Sequence, residues 1–346
     1  MPKAPKHRDP DTRKDQTGGT ITMETVGRLA GVSQVTVSRA LNNPKKVSPQ
    51  TLKRIQDAIA VTGYVPNLVA GALASRRSHL VAALVPSITN IVYSGLMKHF
   101  IDVIRASGYH VLMSETGFSQ EEEQAIVAAL LSRRPDGLLL TGIHHSAGTR
   151  RMLLSAGIPV VEIWDITDTP VDICIGFSHI KAGHDVADFA RMRGYHRAAA
   201  VAANDERALR RKDAFCARFS ELTKTDVPEI CLDSAASISR GREALARLVA
   251  QGFDKGVIFC SSDLLAHGII IEAQSRHLNV PQDIAVIGFG DQDFSAHTLP
   301  PITTVHVDRE ILGARAADAL LSRMNGNDAN IRCIDVGFEI IARDSA

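Results

Sequence analysis

The chain has 346 residues and a mass of 37.3 kDa, with 45% apolar and 22% charged residues. This composition is typical of a globular protein with two or three domains and excludes a fibrous or disordered chain. The net charge is only +1, but residues 1–79 hold 13 Lys and Arg against 5 Asp and Glu, whereas the remainder holds 26 against 33. A basic head on an acidic body predicts that the head meets a polyanion.

No apolar run reaches the roughly 18 residues that span a bilayer. The first twenty residues lack the apolar core of a signal peptide, so we expect neither membrane association nor export. Five widely spaced cysteines without a C-x-x-C pair argue against a disulfide framework or a zinc finger and favour a reducing cytoplasm. The cysteines are Cys174, Cys216, Cys231, Cys260 and Cys333.

Residues 1–19 are rich in Pro, Gly and charge and predict a disordered basic tail. Helix-capping residues then mark three helices in residues 20–66, the predicted DNA-binding domain. The caps and ends are Thr22 and Gly31 for a helix over 23–30, Ser33 for one over 34–41, and Ser48-Pro49 and Gly63 for one that runs to about Thr62.

The second of these helices has a surface that suits DNA. Major-groove base edges are read by short donors, amides and guanidinium groups at the start of a helix. Gln34 is suited to an adenine edge or a phosphate, Val35 to a thymine methyl, and Arg39 to guanine or a phosphate. An ordinary polar helix face is the alternative for this pattern alone. The predicted contacts are Thr22, Ser33, Gln34, Val35, Thr36, Ser38, Arg39, Asn42 and Tyr64.

The segment YVPNLVAGALASRR predicts a hinge helix and linker over residues 67–78. Pro66 starts it, but a helix of about eight residues is marginal in water without packing. We expect it to form when two copies pair across a dimer axis on DNA, with Leu73 wedged into a base step of the minor groove. Asn67 and Ala70 complete the predicted hinge contacts.

From Leu80 onward, short apolar runs alternate with amphipathic segments. This alternation predicts parallel sheets with right-handed crossovers, arranged in two similar lobes. Ligands of such sheets sit beyond the carboxyl ends of the strands. The predicted strands are 80–85, 110–114, 137–141, 159–163, 198–203, 256–260 and 284–289.

Taken together, these segments resemble the lactose-repressor/galactose-repressor family of bacterial transcription factors. In the head the matching pieces are GVSQVTVSRALNN, VSPQTLKRIQDAI and YVPNLVAGALAS; in the body they are VPSITN, RRPDGLLLTG, GVIFCSSDLLAHG, NVPQDIAVIGFGD and LPPITTV. The resemblance spans residues 20–342. It implies an α/β protein in which a small all-α helix-turn-helix head is joined by a hinge helix to a two-lobed, periplasmic-binding-protein-like effector domain with parallel sheets.

The family further implies a homodimer on a palindromic double-stranded DNA operator. Some members tetramerise through a C-terminal leucine heptad helix, whereas this chain ends soon after Ile341, so we expect a dimer. The effector-binding and dimerisation domain is predicted over residues 79–342. Its N-lobe covers about 79–193 and 307–323, and its C-lobe about 194–306 and 324–342.

In this family the effector lies between the lobes. The family's ligand-clamping arginine, in the pattern R-x-x-G-F, matches Arg211, although Ala214 stands where Gly is usual and Arg210 could exchange roles with Arg211. Sugar-binding members carry Asp-Asp after a strand end, where this chain has Gly290-Asp291. The usual Asn-Asp pair is Ser262-Asp263 here.

Loss of a pocket carboxylate with retention of the arginine shifts preference from a neutral sugar to an anion. The G-F-G-D run and the QVTVSRALNNP segment resemble the gluconate-utilisation repressors of the family. We therefore hypothesise a sugar acid such as gluconate as effector. The predicted ligand-binding residues are Ser87, Tyr93, Glu115, Thr141, Trp164, Lys181, Arg211, Ser262 and Gly290.

The overall prediction is an allosteric, ligand-responsive repressor of carbohydrate-utilisation genes that is not an enzyme. We expect no cofactor, metal or membrane partner. His144-His145 and His179 with His184 are interpreted as scattered surface histidines, and no nucleotide-binding or nucleophile motif occurs. The alternatives are a member that responds to a purine or a neutral sugar, and a solute-binding protein, against which the basic head argues. Whether the effector releases or recruits DNA binding stays open.

Overall fold

The computed structural model describes residues 21–65, 77–117, 119–327 and 332–346. These residues form two units, a head up to residue 65 and a body from Arg77 onward. The predicted tail and the predicted hinge contacts Asn67, Ala70 and Leu73 lie outside the described residues. Among the described residues, no helix is both long and apolar enough to cross a bilayer.

The head is all-α, as predicted. Its elements are α1 (Met23–Ala30), α2 (Gln34–Asn42), a 3-10 turn (Pro44–Lys46) and α3 (Pro49–Thr62). Each α-helix begins at a predicted cap, where the hydroxyl of Thr22, Ser33 or Ser48 accepts a hydrogen bond from a backbone N–H of the first turn. The predicted ends are also confirmed, because Gly31 and Gly63 adopt the left-handed conformation that favours glycine.

A small apolar core holds the three helices together. Val26, Val37 and Ile55, one from each helix, are no more than 1% exposed. The close crossing of α1 and α2 depends on Gly27, since a Cβ atom there would lie 2.8 Å from the carbonyl oxygen of Val32. The angle between the two helices is therefore set by backbone contact as well as by side-chain packing.

The body contains strands and helices in regular alternation. In chain order they are β1 (Leu80–Val85), α4 (Ile91–Ala106), β2 (His110–Glu115), α5 (Gln120–Leu131), β3 (Gly137–Thr141), α6 (Ala147–Ala156), β4 (Val160–Ile163), β5 (Ile173–Gly176), α7 (His179–Met192), β6 (Ala198–Ala202), α8 (Glu206–Thr223), β7 (Glu229–Cys231), α9 (Ile238–Ala250), β8 (Gly256–Cys260), α10 (Asp263–Ser275), β9 (Ile284–Phe289), β10 (Thr303–His306), α11 (Arg309–Met324), β11 (Cys333–Asp335) and β12 (Glu339–Ile341).

The strands form two six-stranded sheets, one in each lobe. The N-lobe sheet has the order β11-β5-β4-β3-β1-β2 and the C-lobe sheet β12-β10-β9-β8-β6-β7. All pairings are parallel except that between β10 and β12. Helices cover the faces of these sheets, which is why central strands such as β9 are apolar and buried along their whole length.

The lobe boundaries differ from the predicted ones at two places. Helix α7, assigned to the N-lobe, packs against α8 and belongs to the C-lobe. Strand β11, assigned to the C-lobe, pairs with β5 in the N-lobe sheet. The chain therefore crosses between the lobes at 177–178, 307–308 and 336–338.

Candidate functional site

Helix α2 turns one face to the core of the head and the other to solvent. Val37 and Ala40 are buried, whereas Gln34, Arg39 and Asn42 are exposed. Val35 is 66% exposed although it is apolar. The exposed face of α2 therefore presents an amide, an apolar group and a guanidinium, which are groups that can contact base edges in the major groove.

Several of the predicted DNA contacts also support the head itself. Thr22 and Thr25 form a capping box on α1. The Ser33 hydroxyl accepts from the Thr36 backbone N–H at 3.3 Å. Tyr64 is only 8% exposed and its ring packs in the head core, so its role as a DNA contact stays a prediction that would involve the hydroxyl group.

A cavity of about 390 Å³ opens between the two lobes at the carboxyl ends of the strands, where ligands of parallel sheets bind. Five of the nine predicted ligand-binding residues border it: Ser87, Tyr93, Trp164, Arg211 and Ser262. The remaining lining residues are Thr89, Asn90, Ile91, Val92, Ala203, Asn204, Asp205, Arg207, Ala235, Ala236, Ser261, Leu264, Phe289, Gln292 and Phe294.

Arg211 on α8 is held rigidly at this cavity. Its guanidinium donates to Nδ1 of His179 at 2.9 Å and to the carbonyl oxygen of Ser261 at 3.2 Å. It also lies 3.7 Å from the ring centre of Phe289. Its buried Nε has no hydrogen-bond partner among the described residues. Burial lowers the pKa of Arg211 to about 10, so the side chain is still a cation at neutral pH.

His179 positions Arg211 and is a neutral imidazole. Burial and then the charge of Arg211 hold its pKa well below the usual value. Because Nδ1 accepts from Arg211, the proton is on Nε2, which donates to the carbonyl oxygen of Trp164 at 2.9 Å. The interpretation of His179 and His145 as surface histidines is wrong: His179 is fully buried, and the His145 side chain is 1% exposed.

A second cation at the cavity, Arg207, was not predicted from the sequence. It is 8% exposed, borders the cavity, and places its guanidinium 6.0 Å from the ring centre of Tyr93. Its Nε lies 3.7 Å from a carboxylate oxygen of Asp205. The signal was available, because Arg207 precedes Arg211 by four residues and side chains four apart share one face of a helix.

Arg210 does not exchange roles with Arg211. It donates to the Asp165 carboxylate at 2.7 Å and contacts His144 at 3.2 Å. His144 in turn pairs with Glu206 at 3.0 Å. Because His144 and Asp165 belong to the N-lobe while Glu206 and Arg210 start α8 in the C-lobe, these pairs join the lobes.

A second, more polar cavity of about 610 Å³ lies beside these ion pairs. Thr141 borders this cavity and not the first one, and its hydroxyl donates to the carbonyl oxygen of Leu84 at 2.9 Å. Asn204, Asp205 and Arg207 border both cavities. The two cavities are therefore neighbouring parts of one inter-lobe cleft.

Three predicted ligand residues are not among the described residues that line either cavity. Glu115 is exposed at the end of the edge strand β2. Lys181 is on the outer face of α7, 63% exposed and paired with Asp185 at 2.5 Å. Gly290 turns the chain with φ of 120°, and its carbonyl accepts from Arg309 at 3.0 Å.

A helix-turn-helix head and a two-lobed body with an inter-lobe cleft define a ligand-binding transcriptional regulator. Residues 22–67 match the bacterial regulatory proteins of the lacI family, and residues 187–346 match the periplasmic binding protein-like domain. The chain is 37% identical over 336 residues to the HTH-type transcriptional regulator GntR of Pseudomonas aeruginosa, covering 96% of this chain and 98% of that protein.

Solved structures agree. A LacI-family transcriptional regulator from Silicibacter pomeroyi superimposes with a TM-score of 0.89 at 30% identity, covering 94% of this chain and 99% of that one. The transcription regulator GntR from Chromobacterium violaceum gives a TM-score of 0.74 at 32% identity, covering 77% and 98%. The chain belongs to the LacI family and is a DNA-binding repressor of that family.

Proposed function

We propose that this repressor binds a palindromic operator as a homodimer and responds to a sugar acid such as gluconate, controlling carbohydrate-utilisation genes. The observation that carries the choice of effector is the pair of buried guanidinium groups, Arg207 and Arg211, at one cavity. Asp205 is the only acidic residue among the described lining residues, and its carboxylate already caps α8.

An anionic effector offsets the cost of these buried cations. A buried charge is expensive unless it is paired, and a guanidinium pairs a carboxylate with two parallel hydrogen bonds. A neutral sugar would leave the excess positive charge uncompensated. The hydroxyl and amide groups of Ser87, Ser262, Asn204 and Gln292 offer partners for the hydroxyls of a polyol chain. The similarity to regulators named GntR supports the same assignment.

The binding test uses the single tryptophan of the chain. Trp164 borders the cavity, so its fluorescence reports on occupancy when the full-length protein is titrated with D-gluconate, D-glucose and hypoxanthine. We expect saturation with gluconate and none with the other two. Tight binding of glucose or hypoxanthine alone would exclude a sugar-acid effector.

A matched pair of variants tests the role of the buried cations. Arg207→Gln should weaken gluconate binding about 10- to 100-fold, because a hydrogen bond to a charged group contributes about 1.5–3 kcal/mol. Lys181→Gln removes a cation outside the cleft and should leave the affinity unchanged. An unchanged affinity in Arg207→Gln would contradict the proposed contact.

On the DNA side, the basic residues of the head supply salt-dependent affinity and α2 supplies base discrimination. Arg39→Asn should weaken binding to promoter DNA in a fluorescence-anisotropy titration, while gluconate still changes Trp164 fluorescence at the same concentration. Sedimentation of the protein–DNA complex tests for two protomers per operator. If gluconate alters operator affinity, the operator must alter gluconate affinity by the same factor.

A further inference from the structure

Two cysteines lie side by side where the chain leaves the N-lobe. Strands β5 and β11 are parallel neighbours at one edge of the N-lobe sheet, and Cys174 stands directly opposite Cys333 in their register. Backbone hydrogen bonds fix this register, since the Cys174 N–H donates to the Arg332 carbonyl and the Val336 N–H to the Gly176 carbonyl, each at 2.8 Å.

The register places the two thiols within reach of a disulfide. Neighbouring strands lie about 4.8 Å apart, and a disulfide spans Cα separations of about 4.4–6.8 Å. Burial, together with the adjacent Cys333 thiol, raises the pKa of Cys174 to about 12. Cys333 is exposed and Cys174 is buried, so Cys333 is the thiol that a dissolved oxidant meets first.

The position of the pair is also significant. Two of the three crossovers between the lobes follow these strands: Phe177 comes three residues after Cys174, and Val336 three residues after Cys333. The rings of Phe177 and Phe338, one on each crossover, are in contact with their centres 6.2 Å apart. A covalent link between β5 and β11 would therefore tie together two of the connections between the lobes.

We propose that Cys174 and Cys333 form a redox modification site at the inter-lobe hinge, where a hydroperoxide converts the two thiols into a disulfide. The Cys333 thiolate attacks one peroxide oxygen and the O–O bond breaks, leaving a sulfenic acid; the other oxygen takes a proton and leaves as water when the oxidant is hydrogen peroxide. The Cys174 sulfur then attacks the Cys333 sulfur, and the departing hydroxide takes the Cys174 proton as a second water. The pair loses two electrons, which reduce the peroxide.

This chemistry suits a regulator that works among reduced thiols. Disulfides in a reducing compartment are usually transient and serve redox sensing. A short edge strand such as β11 moves more easily than a central strand, so it accommodates the small adjustment that the new bond requires. The site is independent of the effector, because neither cysteine borders the cleft cavities.

The test treats the full-length protein with a small excess of hydrogen peroxide, blocks the remaining thiols and maps the peptides by mass spectrometry without reduction. We expect a peptide pair linked through Cys174 and Cys333, the loss of two hydrogens from the intact mass, and reversal by dithiothreitol. Cys333→Ser should abolish the link, and Cys231→Ser, which removes an exposed thiol on β7 of the other lobe, should retain it.

Because Cys333 is exposed, the Cys333→Ser variant keeps the core intact and carries the test even if Cys174→Ser fails to fold. Irreversible oxidation of Cys333 beside a free Cys174 thiol, or a link to Cys231, would overturn the proposal. Hydrogen exchange of residues 336–338 should slow on oxidation of the wild-type protein and stay constant in Cys333→Ser. Equal exchange of residues 336–338 in the reduced and the oxidised wild-type protein would refute the effect on this crossover between the lobes.

Discussion

Replacement of Arg210 by alanine removes an ion pair between the lobes. The guanidinium of Arg210 contacts both oxygens of Asp165, at 2.7 and 3.4 Å. Asp165 follows β4 in the N-lobe and is fully buried, while the Arg210 side chain on α8 of the C-lobe is 25% exposed. The substitution therefore leaves a buried carboxylate without its counter-ion.

The expected cost follows from that burial. Removal of one partner of a fully buried pair costs about 3–5 kcal/mol. Because Arg210 is partly exposed and Asp165 keeps a hydrogen bond from the Ile166 N–H at 2.9 Å, we expect a loss of about 2–3 kcal/mol. The neighbouring pair of His144 and Glu206 is about half exposed, so Glu206→Gln should cost no more than about 0.5 kcal/mol.

These differences in the free energy of unfolding are measured by urea titration. Unfolding is monitored by circular dichroism and by the fluorescence of Trp164, which is next to Asp165 in the chain. The double variant Asp165→Asn/Arg210→Ala should recover part of the stability that Arg210→Ala loses, because it leaves no unpaired charge. If Arg210→Ala unfolds at the same urea concentration as Glu206→Gln, the pair does not hold the lobes as the geometry indicates.

Three further changes test other parts of the molecule. Burial disfavours the charged form of His145, but Glu123 and Glu162 outweigh the effect of burial and raise the pKa of His145 to about 9. The stability that the charged imidazole contributes is therefore complete below about pH 6.5 and is lost as the pH rises towards 9. His145→Gln should remove this pH dependence from the urea midpoint. Gly268→Ala would place a Cβ 2.1 Å from a backbone oxygen of α9 and should lower stability by about 1–3 kcal/mol in thermal unfolding. Ser33→Ala removes the cap of α2 and should speed hydrogen exchange in that helix, at a cost of about 1 kcal/mol.

Local chemistry explains which elements were predictable. The head helices follow from caps such as Thr22, Ser33 and Ser48, whose hydroxyls act within one turn of their own position. The long apolar strands were also predicted, within a residue of their ends. Five strands of only three or four residues were not predicted: β5, β7, β10, β11 and β12. Segments this short show no clear alternation of apolar and polar residues. Whether they form strands therefore depends on pairing with the rest of the sheet.

A site residue was predictable where its position along its own helix determines whether it faces the cavity. Arg211 was identified through the family pattern. Arg207 was missed, although its spacing of four residues from Arg211 places it on the same face of the helix. Lys181 was predicted as a second cation beside Arg211, but the buried face of α7 passes through Ala182, Gly183 and Val186 and leaves Lys181 exposed on the opposite side. Contacts across the cleft, such as that of Arg210 with Asp165, depend on how two lobes meet and have no local signal.

Three of the arginines of α8 link the cavity to the opposite lobe. The spacing of four places Arg207 and Arg211 at the cavity, and Arg210 lies around the helix at Asp165. An effector held by the first two would therefore bind the same rigid helix that pairs with the other lobe. Arg210→Ala should then weaken gluconate binding although Arg210 does not border that cavity, because part of the binding energy would be used to close lobes that have lost the Arg210–Asp165 ion pair.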